Sequence, residues 1–434
     1  MIRSFPAFSS LSSLLCSARS ELVLQKEMIY VFYFFAAILI FLSYKSLRGG
    51  VDYLDFFKRE LAKPKSSFTP FVSVIAPCRG VDADLRENLS ALFRQDFPRY
   101  EVIFAVDDER DESVKIIEEI LRENAKLAAK ITAKLIVAGK ASNSSQKVHN
   151  LREAVLHVAD ESKVFVFVDS DARPAENWLR CLIAPLEDAK IGAATGYRWF
   201  ISKRRGFASE TLAVWNASIA SALGANTRSN FCWGGSMAIR RETFEKLDIP
   251  ERWRGTLSDD FVVTRRMKEA NLPIYFVPQV LVASIEDRTF SELFEFTTRQ
   301  MKITRVYAPN LWIASFIGSF IFNLVFVWGI LILILGAINT FSFWFSFIAL
   351  VTISIFSAAK AHLRLKAAKL VLKRYEMELN KQFWTQNTLW ILSPALFFYN
   401  SAAALFSRKI LWRGIKYQLN SPEETSIITR KERF

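Results

Sequence analysis

Aspartates occur in pairs at three places in the sequence, and their spacing could support catalysis. Asp107-Asp108 and Asp169-Ser170-Asp171 each follow an apolar run, and Asp259-Asp260 precedes an expected helix. Carboxylates gathered at one edge of a sheet repel each other unless a cation joins them, and Mg²⁺ or Mn²⁺ beside a diphosphate suits such oxygen ligands. A carboxylate at the start of a helix suits a general base, although Ser258 or Asp259 could instead simply cap that helix.

Four apolar runs predict the strands that would position these aspartates. They start about thirty residues apart, as βαβ units do, and they comprise residues 71–76, 101–106, 134–137 and 164–168. Because the runs are nearly continuous in apolar residues, both faces of the sheet should be covered by helices. We therefore expect a doubly wound, mostly parallel α/β domain over residues 68–286, with its ligands beyond the carboxyl ends of the strands. No phosphate-binding glycine loop accompanies these strands.

Uncharged segments at both ends of this domain predict membrane helices. Residues 28–44 form the first expected span, after an extension of little structure (1–27) and before a basic linker (45–67). Residues 306–359 contain no charged residue and are long enough for two spans joined near Gly336. The basic flanks predict that the α/β domain lies in the cytoplasm.

The remaining segments complete the expected membrane region. Residues 287–305 predict an amphipathic interfacial helix, and residues 360–382 a basic cytoplasmic segment. Residues 383–406 are again uncharged, with Pro394 near their middle, and either a true span or a re-entrant segment is consistent with the pattern. Residues 407–434 form a basic tail.

Composition excludes several classes of protein. The chain is 51% hydrophobic and 14% aromatic, which excludes a disordered chain and favours lipid contact. The formal charge of +14 is attributed to lysines and arginines facing the cytoplasmic leaflet, and nucleic-acid binding is not expected because no basic-aromatic module is present. The four cysteines include no close pair, so neither a disulfide scaffold nor a cysteine-rich zinc module is expected.

An ordered series of short motifs resembles one known family. The sequence is similar to the membrane-bound GT-A glycosyltransferases of the family-2 type, and within them to the ceramide glucosyltransferase-like branch. The resemblance runs from about Pro77 to Leu419 and rests on Pro77-Cys-Arg-Gly80, Gln95-Asp-Phe-Pro-Arg-Tyr-Glu101, Asp107, Gln146-Lys147-Val-His-Asn150, Asp169-Ser-Asp171, Gly234-Gly-Ser236, Ser258-Asp-Asp260-Phe261 and Trp412-Arg-Gly414.

The resemblance implies a role for individual residues. Asp107 would contact the nucleotide base, Lys147 and Asn150 would contact the nucleotide sugar, and Asp169 would lie beside the metal ligand. Asp171 would ligate the Mg²⁺ or Mn²⁺ that bridges the diphosphate, and Asp260 would be the general base. The family's fourth motif is altered in Arg299-Gln-Met-Lys302-Ile303, where Lys302 replaces an arginine and Ile303 a tryptophan. Arg299 and Lys302 are expected to meet phosphate oxygens, without the family's guanidinium fork and aromatic ring at positions 302 and 303.

The resemblance also implies a function. We expect a hexosyltransferase of GT-A fold, with a Rossmann-like, mostly parallel sheet and membrane helices at both ends. It would move a hexose with inversion from a UDP-sugar to a membrane lipid, such as a ceramide-like lipid or diacylglycerol, at the cytoplasmic face. The alternatives are a processive or polyprenyl-linked polysaccharide glycosyltransferase and, outside enzymes, a membrane scaffold protein.

Overall fold

A computed structural model describes residues 8–82, 84–127 and 129–431, with side chains described from Glu27 onward. The first helix, α1, comprises Phe8–Leu61 and therefore includes the expected first span and residues 45–61 of the expected linker. Residues 8–27, expected to have little structure, also belong to this helix. Residues 1–7, and the side chains before Glu27, lie outside the described part of the chain. The expectation that residues 1–27 contribute little stays a prediction.

A seven-stranded sheet forms the centre of the catalytic domain, in the order β3-β2-β1-β4-β7-β5-β8. Only β7 runs antiparallel to its neighbours, so the expectation of a mostly parallel α/β sheet is confirmed. The strands of this sheet are β1 Val72–Pro77, β2 Tyr100–Val106, β3 Ile131–Val137, β4 Val164–Phe167, β5 Ala193–Thr195, β7 Met237–Arg240 and β8 Ile274–Phe276. A separate parallel pair joins β6 Arg198–Ile201 to β9 Val282–Ile285.

Helices cover both faces of the large sheet. Val74 packs in one hydrophobic core and the next residue, Ile75, in another, because successive side chains of a strand point to opposite faces. Helix α4 is capped by Ser145, whose hydroxyl accepts a hydrogen bond from the backbone N–H of Val148. The helices of the domain are α2 Leu85–Ser90, α3 Glu112–Glu123, α4 Gln146–Val155, α5 Trp178–Ile183, α6 Phe207–Ala220, α7 Arg241–Lys246, α8 Ile249–Arg252 and α9 Asp259–Glu269.

A second, largely helical region consists of α1 and the helices that follow the α/β domain. Four segments are long and apolar enough to cross a membrane, namely residues 27–61, 309–335, 341–371 and 383–406. Helices α11 and α12 form a hairpin, and α1 packs along α12, where the hydroxyls of Tyr33 and Ser342 are 2.7 Å apart. The helices are α10 Phe290–Tyr307, α11 Pro309–Leu335, α12 Phe341–Val371, α13 Glu376–Lys381, α14 Phe383–Thr388 and α15 Leu392–Phe406.

The expected basic tail contains a three-stranded antiparallel sheet. Its strands are β10 Lys409–Trp412, β11 Ile415–Ser421 and β12 Glu424–Arg430. Arg413 and Gly414 both have positive φ, as the two central residues of a tight hairpin turn require. Ile415, Tyr417 and Leu419 are buried, and this alternation along β11 was the signal for a strand that the basic residues obscured.

Candidate active site

A cavity of about 1460 Å³ lies beyond the carboxyl ends of β1 and β4. Its polar part is lined by Lys147, Asp169, Asp171 and Asp260, which come from three separate segments of the chain. Its apolar part includes residues of α10, the start of α11, and α15. The structure therefore brings most of the predicted site residues together in one cavity that continues to the membrane helices.

Asp107 follows β2 and lies under the C-terminal sheet rather than on the cavity wall. Its carboxylate is in contact with the guanidinium of Arg79, and Nη1 of Arg430 on β12 lies 3.4 Å from its Oδ2. Arg430 also donates a hydrogen bond to Oε1 of Gln146, at 2.7 Å. The other oxygen of Asp107 is buried without a hydrogen-bond partner among the described residues. The residue predicted to meet the nucleotide base is thus covered by two arginines in this conformation.

Lys147 lies in the first turn of α4 and joins two of the three acidic motifs. Its Nζ is 2.7 Å from Oδ1 of Asp169 and 3.0 Å from Oδ1 of Asp259. Burial opposes the charge on Lys147, but the neighbouring carboxylates outweigh it and raise its pKa, so the ammonium stays charged. Lys147 is therefore a fixed positive charge on the wall of the cavity.

Asn150 borders the cavity, but its side chain is engaged with the protein. Its Nδ2 donates to the carbonyl of Ala105 at the end of β2, at 3.2 Å, and its Oδ1 accepts from Nε2 of Gln146, at 2.8 Å. The bond to Ala105 holds α4 against the sheet, and the bond to Gln146 orients the side chain within α4. The structure therefore shows a positioning role for Asn150, whereas its contact with a nucleotide sugar stays a prediction.

Asp171 is paired with an arginine that the sequence analysis did not identify. Arg198 on β6 places Nη1 3.1 Å from Oδ2 of Asp171 and Nη2 3.5 Å from Oδ2 of Asp169, and its guanidinium lies 4.7 Å from the ring centre of Trp233. Burial raises the pKa of Asp171, but Arg198, Arg413 and Lys147 outweigh it, and the net shift is downward. Arg198 belongs to no motif of the resemblance, and the two-stranded sheet that positions it has no distinctive sequence pattern.

The acidic residues fit a divalent ion that is held together with a diphosphate. Within the described ranges, no group of three or more histidine, cysteine, aspartate or glutamate side chains could hold a metal without other ligands. Oδ1 of Asp171 is nevertheless buried with no hydrogen-bond partner among these residues, which leaves a hard oxygen available. Magnesium is commonly bound by one or two carboxylates and by substrate phosphates, and Asp171 with Asp169 matches that requirement.

Asp259 and Asp260 begin α9 and have different surroundings. Oδ1 of Asp260 accepts from the hydroxyl of Ser258 and from the backbone N–H of Phe261, and its Oδ2 accepts from the N–H of Gly234 at 3.3 Å. Both residues line the cavity, but Asp260 is partly exposed, whereas Asp259 is buried against Lys147. Ser258 is the N-cap residue by position but makes no side-chain cap, so neither it nor Asp259 acts as the simple cap considered above.

Burial raises the pKa of Asp259 to about 6, since the nearby Asp260 and Asp169 add to the effect of burial and Lys147 only partly opposes it. The backbone beside this pair leaves no room for a side chain unless the pair shifts. A Cβ at Gly234 would lie 2.2 Å from Oδ2 of Asp259 and 2.7 Å from Nζ of Lys147. Gly234 thus lets the backbone approach the ion pair closely while its N–H orients Asp260.

Helix α10 brings one of its two predicted cations to the cavity. Arg299 lines the cavity wall between the rings of Phe296 and Trp412, whose centres are 5.3 Å and 5.8 Å from its guanidinium. Burial lowers the pKa of Arg299 to about 10. Lys302 does not line the cavity, because its Nζ faces β10 and donates to the carbonyl of Lys409 at 2.8 Å. The expected phosphate contact of Lys302 is therefore not supported by its position.

Trp412 also changes how the altered fourth motif is understood. The sequence has Ile303 where the family has a tryptophan, and we expected no aromatic ring there. Trp412, from the C-terminal sheet, places an indole beside Arg299 on the same wall. An aromatic surface is thus present near the motif, supplied by a residue more than a hundred positions away in sequence.

Comparison with known proteins identifies the family to which the sequence is similar. The sequence pattern of glycosyl transferase family 21 matches residues 31–425, nearly the whole chain. Ceramide glucosyltransferase 1 of Caenorhabditis elegans is 29% identical over 85 residues, which are 20% of this chain and 17% of that protein. Ceramide glucosyltransferase of Candida albicans is 26% identical over 117 residues, 25% of this chain and 21% of that protein.

These aligned segments span less than a quarter of either relative. Among solved structures, a mannosyltransferase from Pyrobaculum calidifontis in complex with GDP-mannose and Mn²⁺ superposes with a TM-score of 0.43 and 19% identity, covering 86% of this chain and 99% of that one.

Proposed function

We propose that this chain, which belongs to glycosyl transferase family 21, transfers a hexose with inversion from a UDP-sugar to a membrane lipid, such as a ceramide-like lipid or diacylglycerol, at the cytoplasmic face. One observation supports this above all others. The cavity that holds Asp171 and Asp260 is also lined by Leu311 and Ser315 of α11 and by Phe397 of α15. A lipid whose tails lie beside these helices could present its hydroxyl to the carboxylates without leaving the membrane.

The donor would occupy the cationic side of the cavity. Lys147 is a buried positive charge, and Arg413, at the β10–β11 turn, lines the same wall while Asp82 holds it through two hydrogen bonds of 2.7 Å and 2.6 Å. Such groups suit the oxygens of a diphosphate. Asp171 with Asp169 would hold Mg²⁺ or Mn²⁺ there, and that ion, when bound, would neutralise charge on the departing nucleotide.

Asp260 would take the proton from the acceptor hydroxyl. Its carboxylate is oriented by the N–H groups of Gly234 and Phe261 and by the hydroxyl of Ser258, yet it remains open to the cavity. Inversion requires a base on the face of the sugar opposite the leaving group, and a fixed carboxylate serves that purpose. Asp259 is less suited, because it is buried and already paired with Lys147.

Residues 383–406 would be re-entrant rather than spanning. Just before them, Gln382 bonds to the indole of Trp199 in the catalytic domain, at 3.2 Å. Near the middle of the segment, Trp390 packs against Phe326 of α11. At its end, the carbonyl of Leu405 accepts a hydrogen bond from Arg305. Both ends therefore meet the catalytic side, and this arrangement keeps the C-terminal sheet on the same side as the cavity.

Transfer to a lipid can be tested directly. Membranes from a host that overproduces the protein would be incubated with labelled UDP-glucose, UDP-galactose or UDP-N-acetylglucosamine, and the lipid extract examined by mass spectrometry. We expect one labelled glycolipid in the wild type and none with Asp260→Asn. Label in a long polysaccharide would favour the processive alternative. An unlabelled extract and polymer fraction from well-folded protein, with all three donors, would favour the scaffold.

A further inference from the structure

Arg198 occupies the place between the two carboxylates of the Asp169-Ser-Asp171 motif. Each of its terminal nitrogens faces one of these aspartates, at 3.5 Å and 3.1 Å, and only 13% of its side chain is exposed. The ring of Trp233 lies 4.7 Å from the guanidinium and supports its plane. Arg198 is thus a cation held on the spot where a divalent ion would need these oxygens.

The neighbouring cations are bound differently. Lys147 has a second acidic partner in Asp259, and Arg413 is held by Asp82 through two short hydrogen bonds. Among the described residues, the ion pairs of Arg198 are with Asp169 and Asp171 alone. An ion that enters between these aspartates would compete with Arg198, while Lys147 and Arg413 could keep their other partners.

We propose that Arg198 exchanges partners during donor binding. Without a nucleotide it neutralises Asp169 and Asp171 and weakens their affinity for a free divalent ion. When ion and nucleoside diphosphate enter together, the guanidinium releases the aspartates and binds diphosphate oxygens, for which its planar fork is suited. Arg198 therefore makes metal binding depend on the nucleotide. This inference deepens the proposed function and rests on its nucleotide-diphosphate donor.

The test measures binding rather than turnover. Electron paramagnetic resonance would follow free Mn²⁺ during titration of the detergent-solubilised full-length chain, with and without UDP, and calorimetry would follow UDP at saturating Mn²⁺. The variants are Arg198→Ala and Arg198→Lys. Arg173→Ala is the matched control, because Arg173 lines the same cavity but pairs with Asp84 and Asn88, at 3.2 Å and 2.9 Å.

Arg198→Ala should bind Mn²⁺ alone about tenfold more tightly than the wild type and should bind UDP about tenfold more weakly at saturating Mn²⁺, magnitudes typical of coupled sites. Arg198→Lys keeps the charge but loses the fork, so its UDP affinity should fall while its Mn²⁺ affinity without nucleotide changes little. It also tests the diphosphate contact if Arg198→Ala does not fold. Arg173→Ala should stay within about twofold of the wild type in both measurements, because Arg173 is held by Asp84 and Asn88 and pairs with neither Asp169 nor Asp171.

Two results would overturn the inference while leaving the donor proposal intact. One is an unchanged or weaker affinity of folded Arg198→Ala for Mn²⁺ without nucleotide. The other is an unchanged affinity of both Arg198 variants for UDP while the wild type binds UDP with Mn²⁺. A wild type that shows no UDP-dependent binding of Mn²⁺ at all would instead refute the proposed donor, and the inference with it.

Discussion

Replacing Asp260 with asparagine should abolish most of the transfer activity while leaving the protein folded. The change removes the proton acceptor but keeps the shape of the side chain. Loss of general-base catalysis typically costs ~10²–10⁴-fold in rate, which corresponds to about 2.7–5.4 kcal/mol of activation free energy. We expect the turnover rate at saturating donor to fall by that factor.

The structure indicates a much smaller cost to stability. The oxygen of an asparagine at position 260 can still accept from the N–H of Phe261, which lies 2.8 Å from Oδ1 of Asp260. Its amide group would face the N–H of Gly234 and leave that donor unpaired, a loss of about 1–3 kcal/mol for a buried group. Because the present bond is long, at 3.3 Å, the lower end of that range applies. Thermal unfolding would check this, and calorimetry with UDP should show little change.

Asp259→Asn is the informative companion variant. It removes the negative charge of Asp259 beside Lys147, which still keeps Asp169, so donor binding should suffer more than the chemical step. Initial rates of label transfer at saturating donor separate these effects. Near-full turnover in folded Asp260→Asn, together with a loss of turnover in Asp259→Asn at unchanged UDP affinity, would make Asp259 the base. If both variants transferred sugar normally, the mechanism proposed here would be wrong.

Three other predictions follow from the same site. Asp171→Asn should weaken UDP binding at limiting Mn²⁺, because an amide is a poor ligand for a hard cation; unchanged affinity in calorimetry would exclude Asp171 as the metal ligand. Gly234→Ala should lower the thermal midpoint and the affinity for UDP, because the added Cβ would lie 2.2 Å from Asp259 and 2.7 Å from Lys147; overpacking of this kind typically costs about 1–3 kcal/mol. A wild-type midpoint in Gly234→Ala would show that the ion pair can move aside. The pKa of Asp259 is raised to about 6 from its ordinary value of 3.8. The protonated side chain therefore contributes stability that is fully present below about pH 4 and is lost as the pH rises through 6. Between pH 7.5 and 5.5 the wild type should therefore gain stability relative to Asp259→Asn, and parallel stability curves would contradict the shift.

Local patterns were enough to predict the sheet and much of the site. The apolar runs at residues 71–76 and 101–106 became β1 and β2, because a strand buried on both faces needs apolar side chains at every position. Carboxyl ends of parallel strands meet at one edge, so the cavity beside Asp169 and Asp171 followed from chain direction alone. Asp169 and Asp171 could be located from sequence because acidic side chains that directly follow a buried apolar strand are visible in the local pattern.

The residues whose roles the sequence analysis missed are brought to the site from distant parts of the chain. Arg198 lies on β6, whose partner strand, β9, follows more than eighty residues later in the sequence. Trp412 and Arg430 lie in the C-terminal sheet. Arg198 and Arg430 belong to no motif of the resemblance, and Trp412 begins one but was given no role in the site. In each case no local pattern indicates what the residue does. Its role depends on a contact with a residue far away in sequence, and such contacts follow from the packing of whole elements rather than from any local pattern.

The sequence by itself determined the α/β class, the apolar membrane segments, and the acidic strand ends, since each depends on side chains within one element or one turn. Only the tertiary structure decided which carboxylate oxygens lack a hydrogen-bond partner among the described residues. It also decided that Asp259 is buried against Lys147 while Asp260 is partly exposed to the cavity, and that Lys302 points away from the cavity. Residues 259 and 260 are neighbours in the chain, but successive residues of a helix point about 100° apart. Their surroundings are therefore set by what packs on each side of α9.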